Sequence, residues 1–378
     1  MSENRLHRLH ALGQSIWLDF IERTMLRNGE LARLIREDAV TGMTSNPTIF
    51  EKALSEGTAY DDQIRSTGGN LTAMDLFEVI ATTDVRDACD AYRNVYDSTS
   101  GYDGFVSIEV SPEAANDARS TISEAQRLWA TVDRPNLFVK VPGTQEGATA
   151  VRQLIAAGIN VNITLLFSLE AYARVIDAYM SGLEDRVAAG KDISTLHSVA
   201  SFFVSRVDTE VDKRLDALAK QSGDTAASNL MGKAAIANAK LAYRLFQREC
   251  NAPRWKALEA RGATVQRPLW ASTSTKNPSY RDVRYVEELI GPNTVNTMPP
   301  QTIDAFRDHG EVRRTVDADV DTAEQQLAQL EALGISMKDV TNKLLVDGIA
   351  SFQKSFDALI AGLEKKTKAL GRELVASR

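Results

Sequence analysis

The sequence predicts an α/β fold: a (β/α)8 barrel of the TIM type with additional helices at its C-terminal end. Three observations predict it. Eight short runs rich in Val, Ile, Phe and Trp punctuate the chain. Between them lie stretches whose apolar residues recur every three or four positions, long enough to return the chain for a parallel neighbour. Beyond about residue 316 the pattern is helical with no further strand. Eight parallel strands with intervening helices are the sequence signature of such a barrel.

The predicted strands, in order, are 15–20, 39–44, 105–110, 137–141, 159–164, 198–203, 267–272 and 294–298. SIWLDF, FVSIEV, LFVKV and SVASFF carry the branched and aromatic residues that favour a pleated, buried surface. The helical periodicity is clearest over 113–131, 145–157, 169–189, 235–249 and 281–290. At 378 residues the chain is roughly 2.5 times a common domain length. No Pro/Gly/Ser-rich linker, low-complexity tract or fixed-period repeat divides it, so a single barrel domain over 1–378 is expected, with the C-terminal helices packed on it.

Composition narrows the function classes. With 43% hydrophobic and 25% charged residues the chain is an ordinary globular one. Its 44 Lys and Arg against 51 Asp and Glu give a net charge of -7, so nothing favours non-specific attraction to nucleic acid or an anionic membrane. Small anionic ligands must then be caught by local cations. Cys89 and Cys250 stand apart, outside metal or disulfide patterns, which suits a reducing compartment. The N-terminal MSENRLHRLH lacks a secretory apolar run and no stretch of about 20 apolar residues occurs, so a cytoplasmic protein is expected. Monomer and homodimer both remain open.

Several motifs carry little. Asp317, Asp319 and Asp321 imitate the start of a calcium loop, but Thr322 and Ala328 stand where glycine and a bidentate Glu are needed, so they read as helix-start acids. His7, His10, His197 and His309 show no zinc-type pairing, and no metal is expected. GTQEG at 143–147 is a turn into a helix, not a dinucleotide fingerprint, and no P-loop occurs.

In a barrel of this type the chemistry sits at the C-terminal ends of the strands. Asp19, Asn46, Glu109, Lys140, Asn162 with Thr164, Ser201 and Ser272 lie at or just after seven of the eight predicted ends. Lys140, in LFVKVPG, should alternate with Val139 and Val141 across the sheet. A desolvated lysine more readily gives a neutral amine, which attacks a carbonyl to form a Schiff base; a salt-bridged structural lysine is the alternative. Glu109 on the preceding strand is placed to shuttle protons to it. Asp19, amid Ile16, Trp17, Leu18 and Phe20, needs a partner or a task, and a general base that takes a hydroxyl proton from a sugar fits. Asn46, Asn162 and Thr164 offer uncharged contacts to hydroxyls and a water. Arg206 after SFFVS, and Lys276 in the hydroxyl-rich WASTSTKNP, are the cations for phosphate.

The blocks MTSNPTIF, SIEVSP, LFVKVPGT, INVNITLLFS, SFFVSRVD and PLWASTSTKNP resemble the transaldolase family, in that family's order, across roughly 12–306. The best likeness is to the longer-chain bacterial and plant type, which shares the STxTKxP and VNTMPP elements. The resemblance implies a circularly permuted relative of the Schiff-base aldolases, free of cofactor, in the non-oxidative pentose phosphate pathway. It implies transfer of a dihydroxyacetone unit from sedoheptulose 7-phosphate to glyceraldehyde 3-phosphate, giving erythrose 4-phosphate and fructose 6-phosphate. Carried over, it makes Lys140 the Schiff-base residue, Glu109 the proton shuttle, Asp19 the strand aspartate and Thr164 a holder of the catalytic water. Asn46 and Asn162 match substrate hydroxyl contacts, Ser201 and Phe203 the wall of the site, and Arg206 and Ser272 the phosphate region. Shorter members have an arginine soon after that serine, whereas this chain offers Lys276, without a bidentate fork. A fructose 6-phosphate aldolase and a non-catalytic sugar-phosphate sensor are the competing readings.

Overall fold

The computed structural model describes residues 4–375 except 56, 69, 223 and 224. Eight parallel strands close into a barrel in chain order. They are β1 (Gln14–Asp19), β2 (Val40–Thr44), β3 (Val106–Glu109), β4 (Leu137–Pro142), β5 (Val161–Leu166), β6 (Ser198–Phe203), β7 (Arg267–Ala271) and β8 (Thr294–Met298). β1 pairs with both β2 and β8, which leaves no free edge. The fold is thus the (β/α)8 barrel that the alternating pattern predicts.

The main helices around and beyond it are α1 (Pro47–Ser55), α2 (Ala73–Ala91), α3 (Ala118–Val132), α4 (Gln145–Ala157) and α5 (Leu169–Ala188). They continue with α6 (Ser205–Ser222), α7 (Ala234–Asn251), α8 (Pro300–His309), α9 (Val320–Ala332) and α10 (Met337–Ala369). Several starts are written in the sequence. Thr144 and Ser168 accept from Gly147 N (2.9 Å) and Ala171 N (3.0 Å), each such cap contributing about 1 kcal/mol. Among the described residues no helix is long and apolar enough to cross a membrane.

The differences from expectation have local causes. Predicted strand 159–164 begins at Val161, because Asn160 turns its amide onto Pro135 O (3.1 Å) and accepts from His197 N (2.9 Å), plugging the strand's entrance. The predicted helix 113–131 is a 3-10 turn, Pro112–Asn116, followed by α3, because Asp117 adopts extended backbone and caps α3 through Arg119 N (3.0 Å). Over 281–290 only Arg284–Glu287 is helical; Pro292 disfavours helical backbone at Gly291 and the chain turns into β8. Of the three aspartates near α9, Asp317 pairs with Arg314, Asp319 sits at the N-cap with left-handed backbone, and Asp321 lies in the first turn.

α10 lays one apolar stripe on the barrel: Val340, Leu344, Phe352, Phe356, Leu359 and Leu363 are all buried. Spaced three or four apart, they share one face. Gly348 interrupts the stripe, and a Cβ there would stand 2.9 Å from Leu165 Cδ2, so the helix approaches β5 only because that residue lacks a side chain.

At the N-terminal mouth the barrel is plugged by a polar network. Asp103 accepts from Trp17 Nε1 (2.7 Å), Thr41 Oγ1 (2.7 Å), Gly104 N (3.1 Å) and Ser15 Oγ. Arg267 spans Ser15 Oγ, Thr294 O (2.8 Å) and Tyr102 O (3.0 Å), and its guanidinium lies 4.2 Å over the Tyr102 ring. Gly42 on β2 makes room for the Trp17 indole, which a Cβ would meet at 2.6 Å.

Candidate active site

At the C-terminal mouth a pocket of about 410 Å³ opens over the strand ends. It is lined by nine of the eleven predicted residues: Asp19, Asn46, Lys140, Thr164, Ser201, Phe203, Arg206, Ser272 and Lys276. Glu109 and Asn162 do not line it; Glu109 borders an adjoining cavity that shares Asn46. The register explains the grouping: Glu109, Lys140 and Asn162 are side-by-side partners on β3, β4 and β5.

Lys140 is 5% exposed while Val139 and Val141 are wholly buried on the other face. Its Nζ lies 3.0 Å from Glu109 Oε2 and donates to Ser45 O (3.0 Å). Burial pushes the Glu109 carboxyl above its ordinary range, and the Lys140 charge opposes that shift. An acid so placed takes the lysine's proton at less cost than a solvated one.

Asp19, half-buried, accepts from Thr44 Oγ1 (2.7 Å). Burial pushes its carboxyl up as well, against the pull of Lys140, the Thr44 hydrogen bond, Lys276 and Arg206. Both acids of the site are thereby moved toward the range in which they accept and return protons.

Asn46 caps α1, accepting from Ile49 N (3.0 Å), which fixes its side chain at the pocket wall. Asn162 is fully buried, donating to Ser107 Oγ (3.1 Å) and accepting from Ser201 Oγ (2.7 Å), so it reaches the pocket through Ser201. The Thr164 hydroxyl is buried and has no hydrogen-bond partner among the described residues. Just beyond it Leu165 holds a left-handed backbone, φ 59°, where β5 loses register with β6. Such strain in a non-glycine residue costs on the order of 1–3 kcal/mol and gathers at functional sites.

The cations gather on one wall. Arg206 stands in the first turn of α6, where the helix dipole already disfavours positive charge, and stacks 5.3 Å from the Phe203 ring centroid. Lys276 donates to Ser274 Oγ (2.7 Å). Burial and the Arg206 charge hold its amine below the ordinary lysine value. Two cations pressed together at a helix start form a place that an anion relieves. Ser272, at φ 56°, ties this loop to α6, its carbonyl accepting from Ser205 N (3.1 Å) and its hydroxyl meeting Ser205 Oγ (3.0 Å).

Among the lining residues that escape the sequence reading are Thr44, Thr297, Lys52 and Phe352. Thr44 ends β2 and Thr297 is next to the last residue of β8, and a polar residue near a strand end was their only signal. Lys52 lies in α1, and Phe352 comes from α10, whose stripe reads as core.

A closed barrel with a buried lysine–carboxylate pair at its C-terminal mouth, beside an acid and two cations, defines an aldolase-class enzyme. The transaldolase/fructose-6-phosphate aldolase family model matches residues 16–363. The chain is 49% identical to the transaldolase of Frankia alni over 98% of each chain. It is 47% identical to that of Trichodesmium erythraeum over 98% of this chain and 99% of the relative. The transaldolase of Thermobifida fusca is 49% identical over 94% and 96% respectively. The chain belongs to the transaldolase/fructose-6-phosphate aldolase family and is an enzyme of its transaldolase branch.

Proposed function

We propose that this enzyme transfers a dihydroxyacetone unit between sugar phosphates through a Schiff base on Lys140, with sedoheptulose 7-phosphate as donor and glyceraldehyde 3-phosphate as acceptor. The observation that carries the reading is the Lys140–Glu109 contact of 3.0 Å inside the barrel, with Asp19 on the same pocket wall. Lys140 passes its proton to Glu109 and the neutral amine adds to the ketose C2 carbonyl. The carbinolamine loses water, Glu109 returning the proton with a water held near Thr164. Asp19 takes the C4 hydroxyl proton, the C3–C4 bond breaks, and its electrons move into the imine to leave an enamine on Lys140. The first aldose departs. The enamine then attacks the acceptor aldehyde, Asp19 returns its proton to the new hydroxyl, and hydrolysis frees the product ketose.

Arg206 and Lys276 hold the distal phosphate, with Ser272 positioning their loop. Asn46 and the Ser201–Asn162 pair meet the sugar hydroxyls, and Phe203 closes the wall against water. The same reading takes the chain as one barrel domain, since one buried cluster includes residues from Leu6 to Leu363, and places it in the cytoplasm.

The test is borohydride reduction with fructose 6-phosphate, followed by peptide mapping of the adduct. An adduct on Lys140 is expected, and one elsewhere overturns the assignment. Acceptor-dependent transfer should exceed release of free dihydroxyacetone; the reverse would make the chain a fructose 6-phosphate aldolase.

A further inference from the structure

The proposed transfer asks Asp19 to do two opposite things in one cycle. It must be ionised to start cleavage and protonated to finish the addition. A carboxylate surrounded only by fixed N–H donors would be locked in the first form, because donors stabilise the charge and nothing accepts from the acid. Asp19 is held differently. Its hydrogen-bond partner is a hydroxyl, Thr44 Oγ1 at 2.7 Å, and that hydroxyl lies 2.7 Å from a second one, Thr297 Oγ1.

The three residues come from three adjacent strands. Asp19 and Thr44 are register partners on β1 and β2, while Thr297, next to the last residue of β8, lies on the opposite side of β1. Thr44 and Thr297 therefore meet across the end of the strand that carries Asp19. Both are buried, and both line the pocket. Strand backbones fix all three positions, so only the hydroxyl protons are free to turn.

Proton counting then sets the direction of each bond. Ionised Asp19 accepts only, so Thr44 gives it its single proton, and Thr297 must donate to Thr44. When Asp19 carries the substrate's proton, the line can run the other way: the carboxyl donates to Thr44, and Thr44 donates to Thr297. No heavy atom moves between the two arrangements.

We infer that Thr44 and Thr297 are positioning residues that form a reversible two-hydroxyl relay, giving Asp19 a hydrogen-bond partner in both its ionised and its protonated form. The inference rests on the reading of Asp19 as the base of the transfer. The charges facing Asp19 are Lys140 from β4, Lys276 from the loop after β7 and Arg206 from α6, with Glu109 on β3 the nearby acid. All four remain in place in the variants below.

The relay makes predictions of opposite sign. Thr44→Val removes a charge-assisted bond from ionised Asp19 and only a weaker neutral one from the protonated acid, so the acid limb of the pH profile for C–C cleavage should rise by about 1 unit. Thr297→Val leaves Thr44 donating to the carboxylate but strands Thr44's proton when Asp19 is protonated. An unmade donor costs more than an unfilled lone pair, so this limb should fall by about half a unit. Thr44→Ser and Thr297→Ser keep the hydroxyls and should restore the original limb. Borohydride trapping on Lys140 reports that each variant is folded and forms the imine; where a valine variant fails that check, Thr44→Ala or Thr297→Ala carries the same prediction. Limbs that move in the same direction, or do not move, overturn the relay. Cleavage unchanged in Asp19→Asn would instead overturn the role of Asp19 itself, so the two failures are told apart.

Discussion

At the N-terminal mouth of the barrel Asp103 takes four hydrogen bonds and Arg267 makes three and stacks on Tyr102, the two charges joined through Ser15. At the C-terminal mouth Asp19 leans on one threonine, Arg206 and Lys276 press on each other, and the Thr164 hydroxyl has no protein partner among the described residues. The same eight strands build both ends. Charge closed off by neighbours secures a fold, while charge left short of partners is available to a substrate. Buried charge alone is therefore no mark of chemistry in this barrel.

The sharpest way to break this contrast is Lys140→Ala. Turnover should fall by roughly 10⁵-fold or more, the scale of losing a covalent nucleophile, and imine trapping should vanish. Asp19→Asn should keep trapping but slow cleavage by about 10²–10⁴-fold, as rapid-quench measurement of the first half-reaction would show. The opposite mouth should answer in the opposite currency. Asp103→Ala strands the buried donors of Trp17, Thr41 and Ser15 and should cost about 3–5 kcal/mol in denaturant unfolding, with kcat per folded molecule nearly intact. A large loss of kcat there would erase the distinction between the two ends. Arg206→Met and Lys276→Met should each raise KM for phosphorylated ketoses by about 10–100-fold, one charge-assisted hydrogen bond's worth, with little change for unphosphorylated ones. Their melting temperatures should hold or rise, because each removes a repulsion.

The barrel was legible because its strands are runs of branched and aromatic residues, and the observed strands depart from expectation by at most two residues at either end. The positions at the strand ends were legible for the same reason: once the ends are known, Asp19, Lys140 and Ser272 stand out as polar residues after apolar runs. Asn162 is taken up by Ser107 and Ser201 on other strands, and such cross-strand contacts are not visible in one strand's sequence. Thr44 looked like an ordinary β-branched residue. Phe352 falls on the same stripe as Leu344 and Phe356, so periodicity marks it as core; only the packing of α10 shows that its ring borders the pocket. The shortened strand and the split helix turned on Asn160 and Asp117, two side chains that compete with the backbone for its own hydrogen bonds.

The wall that Phe352 supplies has a consequence for how the enzyme comes into being. β8 ends at Met298, and the helix bearing Phe352 begins only at Met337. On the ribosome the barrel is therefore spelled out before the last side of its pocket exists. Since chains fold in order of synthesis where they can, a nascent barrel would hold Lys140 in a mouth still open to water. The surroundings of Lys140 are thus completed only by the last helix, whose Gly348 lies against Leu165 and whose Phe352 borders the pocket.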